Sequence, residues 1–133
     1  MKTIANFKEP YASLAARDYE AVMSHLAEDC VWIAADNSPL ADQSPYHGIA
    51  EIRAGVFERI TAAFDKLFVV IDEIFECEGE RVVVLGYYVG KFRGSDDEFT
   101  AQVAHIWTLR DGRAVKFQQY LDTLQIARAS GAA

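Results

Sequence analysis

The chain has few cysteines, few prolines and no excess of basic residues. Its 133 residues include two cysteines, three prolines and 13 basic side chains against 20 acidic ones, so the net charge is −7. Two cysteines without a CxxC spacing favour free thiols over a disulfide framework or a zinc site. A negatively charged protein repels polyanions, and we therefore expect no nucleic acid and no anionic membrane as partner.

Long hydrophobic runs are also missing. The longest nearly apolar stretch, residues 82–89, is far shorter than the roughly 20 residues that cross a bilayer. The N-terminus has no apolar segment of signal-peptide length, so we expect a cytoplasmic protein. The composition, 51% hydrophobic and 25% charged, is typical of a globular protein, and the length predicts a single domain over residues 1–133.

Apolar residues recur at helical spacing in two segments of the N-terminal half, and a further short helix lies between them. The first segment passes through Pro10, which predicts a kink or a late start. The short helix has Asp18 as a plausible N-cap and is expected to end near Glu28, and the last segment follows Ile49. The positions that define the first and last segments are Ile4, Phe7, Tyr11, Leu14, Ile52, Val56, Ile60 and Phe64.

Strand-like patterns occupy most of the remaining chain. A short strand is predicted at residues 30–34, and longer ones at residues 66–77, 81–93, 98–110 and 113–123, before a short helix at residues 124–129. Asp111 and Gly112 form a residue pair that suits the turn of a two-residue hairpin. Helices followed by hairpin-linked strands predict an α+β fold, with the helices on one face of a curved antiparallel sheet.

This order of elements resembles the nuclear transport factor 2-like superfamily, in particular its SnoaL-like and ketosteroid-isomerase-like bacterial members. The segments that carry the resemblance are residues 16–19 with 26–32, residues 48–53, and residues 105–113 continuing to 117–122. The resemblance implies a cone in which three N-terminal helices pack on the concave face of the sheet around a largely apolar pocket. It also implies a homodimer that packs through the outer sheet faces, which large side chains on both faces of the strands favour as well.

The superfamily does not imply one activity, because the same cone hosts isomerases, cyclases, epoxide hydrolases, dehydratases and proteins without chemistry. The two carboxylates of the steroid isomerase align with Ala34 and Ala104. The Arg and Asp of limonene epoxide hydrolase align with Gln102 and Ala104, so neither mechanism is expected here. The proposed catalytic Asp of SnoaL-like polyketide cyclases aligns with Asp122, whereas the cyclase histidine aligns with Thr108.

Asp122 is the first candidate for a catalytic base, and His105 is the second. A carboxylate in a dry pocket has a raised pKa and can take and return a proton near neutral pH. Asp122 also precedes a predicted helix, so its alternative role is that of an N-cap. Because side chains alternate between the two faces of a strand, Phe117, Gln119 and Leu121 are expected to face inward. Asp122 then reaches the pocket only if the strand ends or bulges just before it.

The sequence leaves open which face of its strand His105 occupies. The alignment turns Gln102 toward the pocket and leaves His105 and Trp107 on the outer face under a dimer partner, whereas the hydrophobic pattern favours the reverse. A β-bulge would reconcile the two, and a structural, hydrogen-bonded role is the alternative for His105. The candidate substrate-binding residues are Tyr11, Trp32, Gln102, Phe117 and Gln119.

The sequence therefore predicts a protein that binds a hydrophobic small molecule. The activity we expect is that of a cofactor-independent isomerase, cyclase or lyase acting on a hydrophobic carbonyl or polyketide-like compound. The alternative is a non-catalytic ligand-binding or dimeric accessory protein, which the alanines at positions 34 and 104 favour. No histidines share a metal-ligand spacing, so no metal and no cofactor is predicted.

Overall fold

The structure, a computed structural model, describes residues 7–131 and contains a curved sheet of six strands with helices packed against it. The helices are α1 Glu9–Ala15, α2 Tyr19–Met23, α3 Gly48–Ile52, α4 Glu58–Ala63 and α5 Thr123–Ser130, and a π-helical turn, Arg53–Phe57, joins α3 to α4. The strands are β1 Leu26–Ile33, β2 Tyr46–His47, β3 Phe64–Cys77, β4 Arg81–Phe92, β5 Phe99–Arg110 and β6 Arg113–Leu121. The predicted α+β fold with a curved sheet is confirmed.

The strand order is β2-β1-β6-β5-β4-β3. Strands β3 to β6 form the predicted antiparallel meander. Strand β1 pairs parallel to β6, however, whereas the sequence predicted a fully antiparallel sheet. This parallel pairing sets Trp32 of β1 opposite Phe117 of β6, and their rings stack with centroids 3.9 Å apart. Two aromatic residues from distant parts of the sequence thus meet on the inner face of the sheet.

The first two helices begin where the sequence predicts and the second ends earlier. Helix α1 has Pro10 in its first turn, which is the predicted late start, while Ile4 lies outside the described residues. Asp18 is the N-cap of α2 and accepts a hydrogen bond from the backbone N–H of Ala21 at 3.1 Å. The prediction that α2 continues to Glu28 is wrong, because the chain pairs with β6 from Leu26 onward.

A tight turn and a register shift shape the sheet. Asp111 and Gly112 both have positive φ, 54° and 82°, as the predicted two-residue turn requires. Gly86 on β4 faces a register shift in β3, and a Cβ atom there would lie 2.0 Å from the carbonyl oxygen of Val70. A side chain at this position is therefore excluded by the backbone of the neighbouring strand. Bulges of this kind bend a sheet locally.

Candidate functional site

Strand β5 turns His105 and Trp107 to the inner face of the sheet. Every second residue from Phe99 to Leu109 is buried, whereas Gln102 is exposed. The pairing of β5 with β4 runs from residue 99 to residue 108 without a register shift, so no bulge reverses the facing. The alignment-based expectation that Gln102 faces the pocket is therefore wrong. The hydrophobic pattern of the strand indicated the correct face.

A chain of buried hydrogen bonds surrounds His105. The hydroxyl of Tyr11 lies 2.7 Å from Nδ1 of His105, and Nε1 of Trp107 donates to the same hydroxyl at 2.9 Å. On the other side of the ring, the hydroxyl of Tyr88 lies 3.1 Å from Nε2 and accepts from Nε2 of Gln119 at 2.9 Å. These five side chains, from α1, β4, β5 and β6, form what we call the inner network. Each has at least one partner, as buried polar groups require.

The backbone after β1 fixes the orientation of the Gln119 side-chain amide. Oε1 of Gln119 accepts a hydrogen bond from the backbone N–H of Ala35 at 3.4 Å. A backbone N–H can only donate, so the oxygen of this amide faces Ala35 and its nitrogen faces the hydroxyl of Tyr88. The direction of the bond between Gln119 and Tyr88 is thereby determined.

Burial keeps the inner network electrically neutral. His105 is 2% exposed, and this burial lowers its pKa to about 3 from the ordinary value of 6.5. Burial likewise raises the pKa values of the Tyr11 and Tyr88 hydroxyls well above the ordinary value of 10.0. At neutral pH the imidazole is uncharged and both phenols are protonated. The network therefore offers hydrogen-bond donors and acceptors to a neighbouring molecule, but no full charge.

Two small cavities adjoin the inner network, and we call them the inner compartments. Their volumes are about 80 Å³ and about 40 Å³, and Trp32, Ile60, Leu67 and Tyr88 line both. Their walls are mainly apolar. An engineered cavity of about 150 Å³ holds benzene, and the two compartments together are smaller than that, so a ligand of one ring would have to occupy both. Larger polycyclic compounds exceed this volume.

The π-helical turn supplies part of the cavity wall. Its last two residues, Val56 and Phe57, each line one compartment, and Ile60 of the following helix lines both. The turn also contains Gly55, where a Cβ atom would lie 2.2 Å from the ring of Tyr46. The absence of a side chain at Gly55 therefore allows the Tyr46 ring to pack against this wall. Single π-turns within helices are frequent at functional sites.

The structure brings most of the sequence-derived candidates together. The candidates that line the inner compartments are Tyr11, Trp32, His105, Phe117 and Gln119. Gln102 and Asp122 instead line a groove of about 460 Å³ on the outer face of the sheet.

Asp122 serves as the N-cap of α5. Its carboxylate accepts a hydrogen bond from the backbone N–H of Gln125 at 3.4 Å, and the side chain is exposed. Strand β6 ends at Leu121, which meets the condition under which Asp122 could reach the pocket. The chain then turns outward into the helix, however. The structure therefore gives Asp122 the capping role and does not bring it into the inner compartments. Proton transfer in the cavity would have to use His105 and the tyrosines.

Tyr88 and Trp107 belong to the inner network but were not among the candidates predicted from the sequence. A signal was present, because Val82, Val84, Gly86 and Tyr88 alternate as the inner face of β4 and are all buried. The register pairs Tyr88 with a position four residues before His105, however. The sequence does not show that the curvature of the sheet brings their polar atoms within 3.1 Å.

Residues 7–117 match the family profile described as a SnoaL-like domain. The chain belongs to the SnoaL-like family. An NTF2-like protein from Burkholderia thailandensis is 30% identical to this SnoaL-like chain, with a TM-score of 0.82 over 97% of this chain and 98% of that one. An NTF2-like protein of unknown function from Burkholderia pseudomallei is 28% identical, with a TM-score of 0.85 over 97% of both chains.

More distant structures share the SnoaL-like fold. TerC, co-crystallised with polyporic acid, is 24% identical and has a TM-score of 0.83 over 98% of this chain and 99% of that one. At this identity the likeness shows the fold alone. No curated protein matches the chain significantly. Within residues 7–131, no helix is long and apolar enough to span a membrane.

Proposed function

We propose that this SnoaL-like protein binds a small hydrophobic carbonyl compound in the inner compartments. The observation that carries the proposal is a single polar cluster, made of Tyr11, His105, Tyr88 and Gln119, in a cavity with otherwise mainly apolar walls. Apolar walls contribute roughly 25 cal/mol for each Å² of ligand surface that they bury. A few convergent polar groups then orient the ligand, as in most small-molecule sites.

The same geometry suits cofactor-independent isomerase, cyclase or lyase chemistry. A carbonyl oxygen placed beside a tyrosine hydroxyl in a dry site is polarised by the hydrogen bond. Negative charge that develops on this oxygen as an enolate forms is stabilised by the same donor. The neutral imidazole of His105 lies between Tyr11 and Tyr88 and could pass a proton from one hydroxyl to the other by changing its tautomer.

Binding without turnover is the second candidate function, and one observation favours it. The pKa of His105 is lowered to about 3 by burial, so the imidazole is a weak base. Within the described part of the chain, no carboxylate lines either inner compartment. Removing a proton from carbon near neutral pH works best with a base whose pKa is close to the working pH. A non-catalytic ligand-binding protein needs no such base.

A matched pair of variants tests the binding proposal. Ala34 lines the larger inner compartment, and Ala104 lines the outer groove. We expect native mass spectrometry with a mixture of small hydrophobic metabolites to show a retained compound on the wild-type protein. Ala34→Leu should abolish retention by filling the cavity, while Ala104→Leu should preserve it. Retention that survives Ala34→Leu and is lost in Ala104→Leu would place the site on the outer face and contradict the proposal.

Proton exchange then separates the two candidate functions. The retained carbonyl compound is incubated with the protein in D₂O, and deuterium incorporation next to the carbonyl is followed by NMR. Exchange faster than in buffer alone, and lost in His105→Gln, supports the catalytic function. Tight binding with exchange at the buffer rate supports the non-catalytic one.

We also propose that the chain forms a homodimer through the outer sheet face. Large apolar side chains are exposed there, among them Val70 at 46% and Tyr120 at 54%. Phe75 and Tyr87 are the other exposed large hydrophobic residues of the strands, and such patches mark interaction surfaces. Sedimentation should give a dimer of the 14.8 kDa chain. Val70→Glu should dissociate it, whereas Leu124→Glu, at an exposed position on α5, should not; a monomeric wild-type protein would contradict the proposal.

A further inference from the structure

The inner network contains one more hydrogen-bonding proton than its own bonds use. Its four hydrogen bonds join Trp107 to Tyr11, Tyr11 to His105, His105 to Tyr88, and Gln119 to Tyr88. Five protons are available: one each from the indole, the two phenols, the neutral imidazole and the amide N–H that faces Tyr88. Because each bond uses one proton, one proton has no acceptor within the network.

The two ends of the network are fixed, so the surplus proton belongs to a tyrosine. Trp107 can only donate, and the amide nitrogen of Gln119 also donates because its oxygen accepts from Ala35. Two arrangements remain for the middle of the network. Either Tyr11 donates to Nδ1 of His105 and Nε2 donates to Tyr88, or both of these bonds run in the opposite direction. The first arrangement leaves the proton of Tyr88 unused, and the second leaves that of Tyr11.

The distances around the imidazole favour the first arrangement. The separation of 2.7 Å between the Tyr11 hydroxyl and Nδ1 is typical of a hydroxyl donor. The separation of 3.1 Å between Nε2 and the Tyr88 hydroxyl is typical of an N–H donor. Nε2 therefore carries the imidazole proton, and the Tyr88 oxygen accepts two hydrogen bonds. Among residues 7–131 the Tyr88 hydroxyl makes no hydrogen bond other than these two, so its proton has no acceptor there.

We propose that the Tyr88 hydroxyl donates its proton to an acceptor oxygen of the bound molecule. This proposal rests on the proposed function and narrows its ligand class to small, compact ketones and similar compounds with an unprotonated oxygen at one end and an apolar body. Tyr88 lines both inner compartments, and its hydroxyl lies between His105, which lines one of them, and Gln119, which lines the other. A buried donor without an acceptor is unfavourable, so a hydrocarbon of the same shape would leave this group unpaired and bind less tightly.

Calorimetry with two ligands of the same shape tests whether Tyr88 donates a hydrogen bond to the bound molecule. Cyclohexanone has an oxygen where methylenecyclohexane has a CH₂ group, and the two are otherwise identical. We expect the wild-type protein to bind the ketone about tenfold more tightly, because one hydrogen bond to a buried donor is gained. Tyr88→Phe should remove this preference and keep the affinity for methylenecyclohexane within about threefold. Tyr46→Phe is the matched control, because its hydroxyl is buried outside the inner compartments, and it should keep the preference.

The outcomes separate this inference from the function on which it rests. Binding of both probes with equal affinity to the wild-type protein, or an unchanged preference in Tyr88→Phe, would overturn the role of Tyr88 and leave ligand binding standing. Binding of neither probe would overturn the proposed function itself. A measurement on the unmodified protein covers the case in which Tyr88→Phe does not fold. ¹⁵N NMR should find His105 protonated at Nε2, and protonation at Nδ1 instead would overturn the assignment to Tyr88.

Discussion

The hydroxyl of Tyr11 lies 2.7 Å from Nδ1 of His105, although 94 positions separate the two residues in the chain. This buried contact joins α1 to the centre of β5, and Trp107 donates a second hydrogen bond to the same hydroxyl. The position of the first helix over the inner face of the sheet is thus coupled to the orientation of the imidazole. Stability and ligand binding should both depend on this contact.

Removing the Tyr11 hydroxyl should destabilise the protein. In Tyr11→Phe the indole N–H of Trp107 loses its acceptor and Nδ1 of His105 loses its partner, both in a buried site. We expect a loss of about 1–3 kcal/mol in the free energy of unfolding, measured with urea. Tyr19→Phe is the control, because it keeps the ring that packs on Phe57 and its hydroxyl makes no hydrogen bond within residues 7–131, so it should change stability by less than about 0.5 kcal/mol. Equal effects of the two variants would contradict the buried network.

Much of this fold could be predicted from the sequence because its elements are defined by local patterns. The alternation of β5, the Asp111–Gly112 turn and the Asp18 cap each follow from neighbouring residues, and the structure has all three. The alternation of β5 also indicated correctly that His105 faces inward, whereas the alignment with distant relatives placed it on the outer face. A strand without a bulge follows its own hydrophobic period.

The rest of the site depends on relationships that a local pattern does not contain. The parallel pairing of β1 with β6 depends on the whole path of the chain between them, through the helices and strands β3 to β5, and it decides that Trp32 meets Phe117. The contact between Tyr88 and His105 depends on the curvature of the sheet. Asp122 has two plausible roles in the sequence, and only the direction of the chain after β6 distinguishes them.

Acid should destabilise the wild-type protein in part through His105. The folded pKa of about 3 lies below the ordinary value of 6.5, so the unfolded chain binds a proton that the folded chain does not. This contribution to stability is complete above about pH 6.5 and is lost as the pH falls toward 3. The stability advantage of the wild-type protein over His105→Gln should shrink by about 2 kcal/mol between pH 7 and pH 5 in urea unfolding. A constant difference would show that the imidazole titrates normally.

Loss of the Asp122 carboxylate should affect stability and not binding. Asp122→Ala removes the N-cap of α5 and should cost about 1 kcal/mol in the free energy of unfolding. Asp18→Ala removes the equivalent cap of α2 and should have a similar effect. The affinity for cyclohexanone should be unchanged in both. A large loss of affinity in Asp122→Ala at normal stability would instead support a role in the site.

Adding one methyl group at Gly86 should disturb the sheet. The Cβ atom of Gly86→Ala would lie 2.0 Å from the carbonyl oxygen of Val70, and a backbone atom in a paired strand cannot move aside easily. We expect a loss of at least about 2 kcal/mol in the free energy of unfolding, or no folded protein. Gly94→Ala, which has positive φ but no atom within 4 Å, should cost only about 1 kcal/mol. Similar losses in the two variants would show that β3 accommodates the methyl group.

The position of a bound ligand tests the central claim most directly. A crystal structure of the protein with cyclohexanone should show the ring in the inner compartments among Trp32, Ile60 and Leu67. Its carbonyl oxygen should lie about 2.7–3.0 Å from the hydroxyl of Tyr88. Cyclohexanone in the outer groove beside Asp122, with the inner compartments unchanged, would contradict the account.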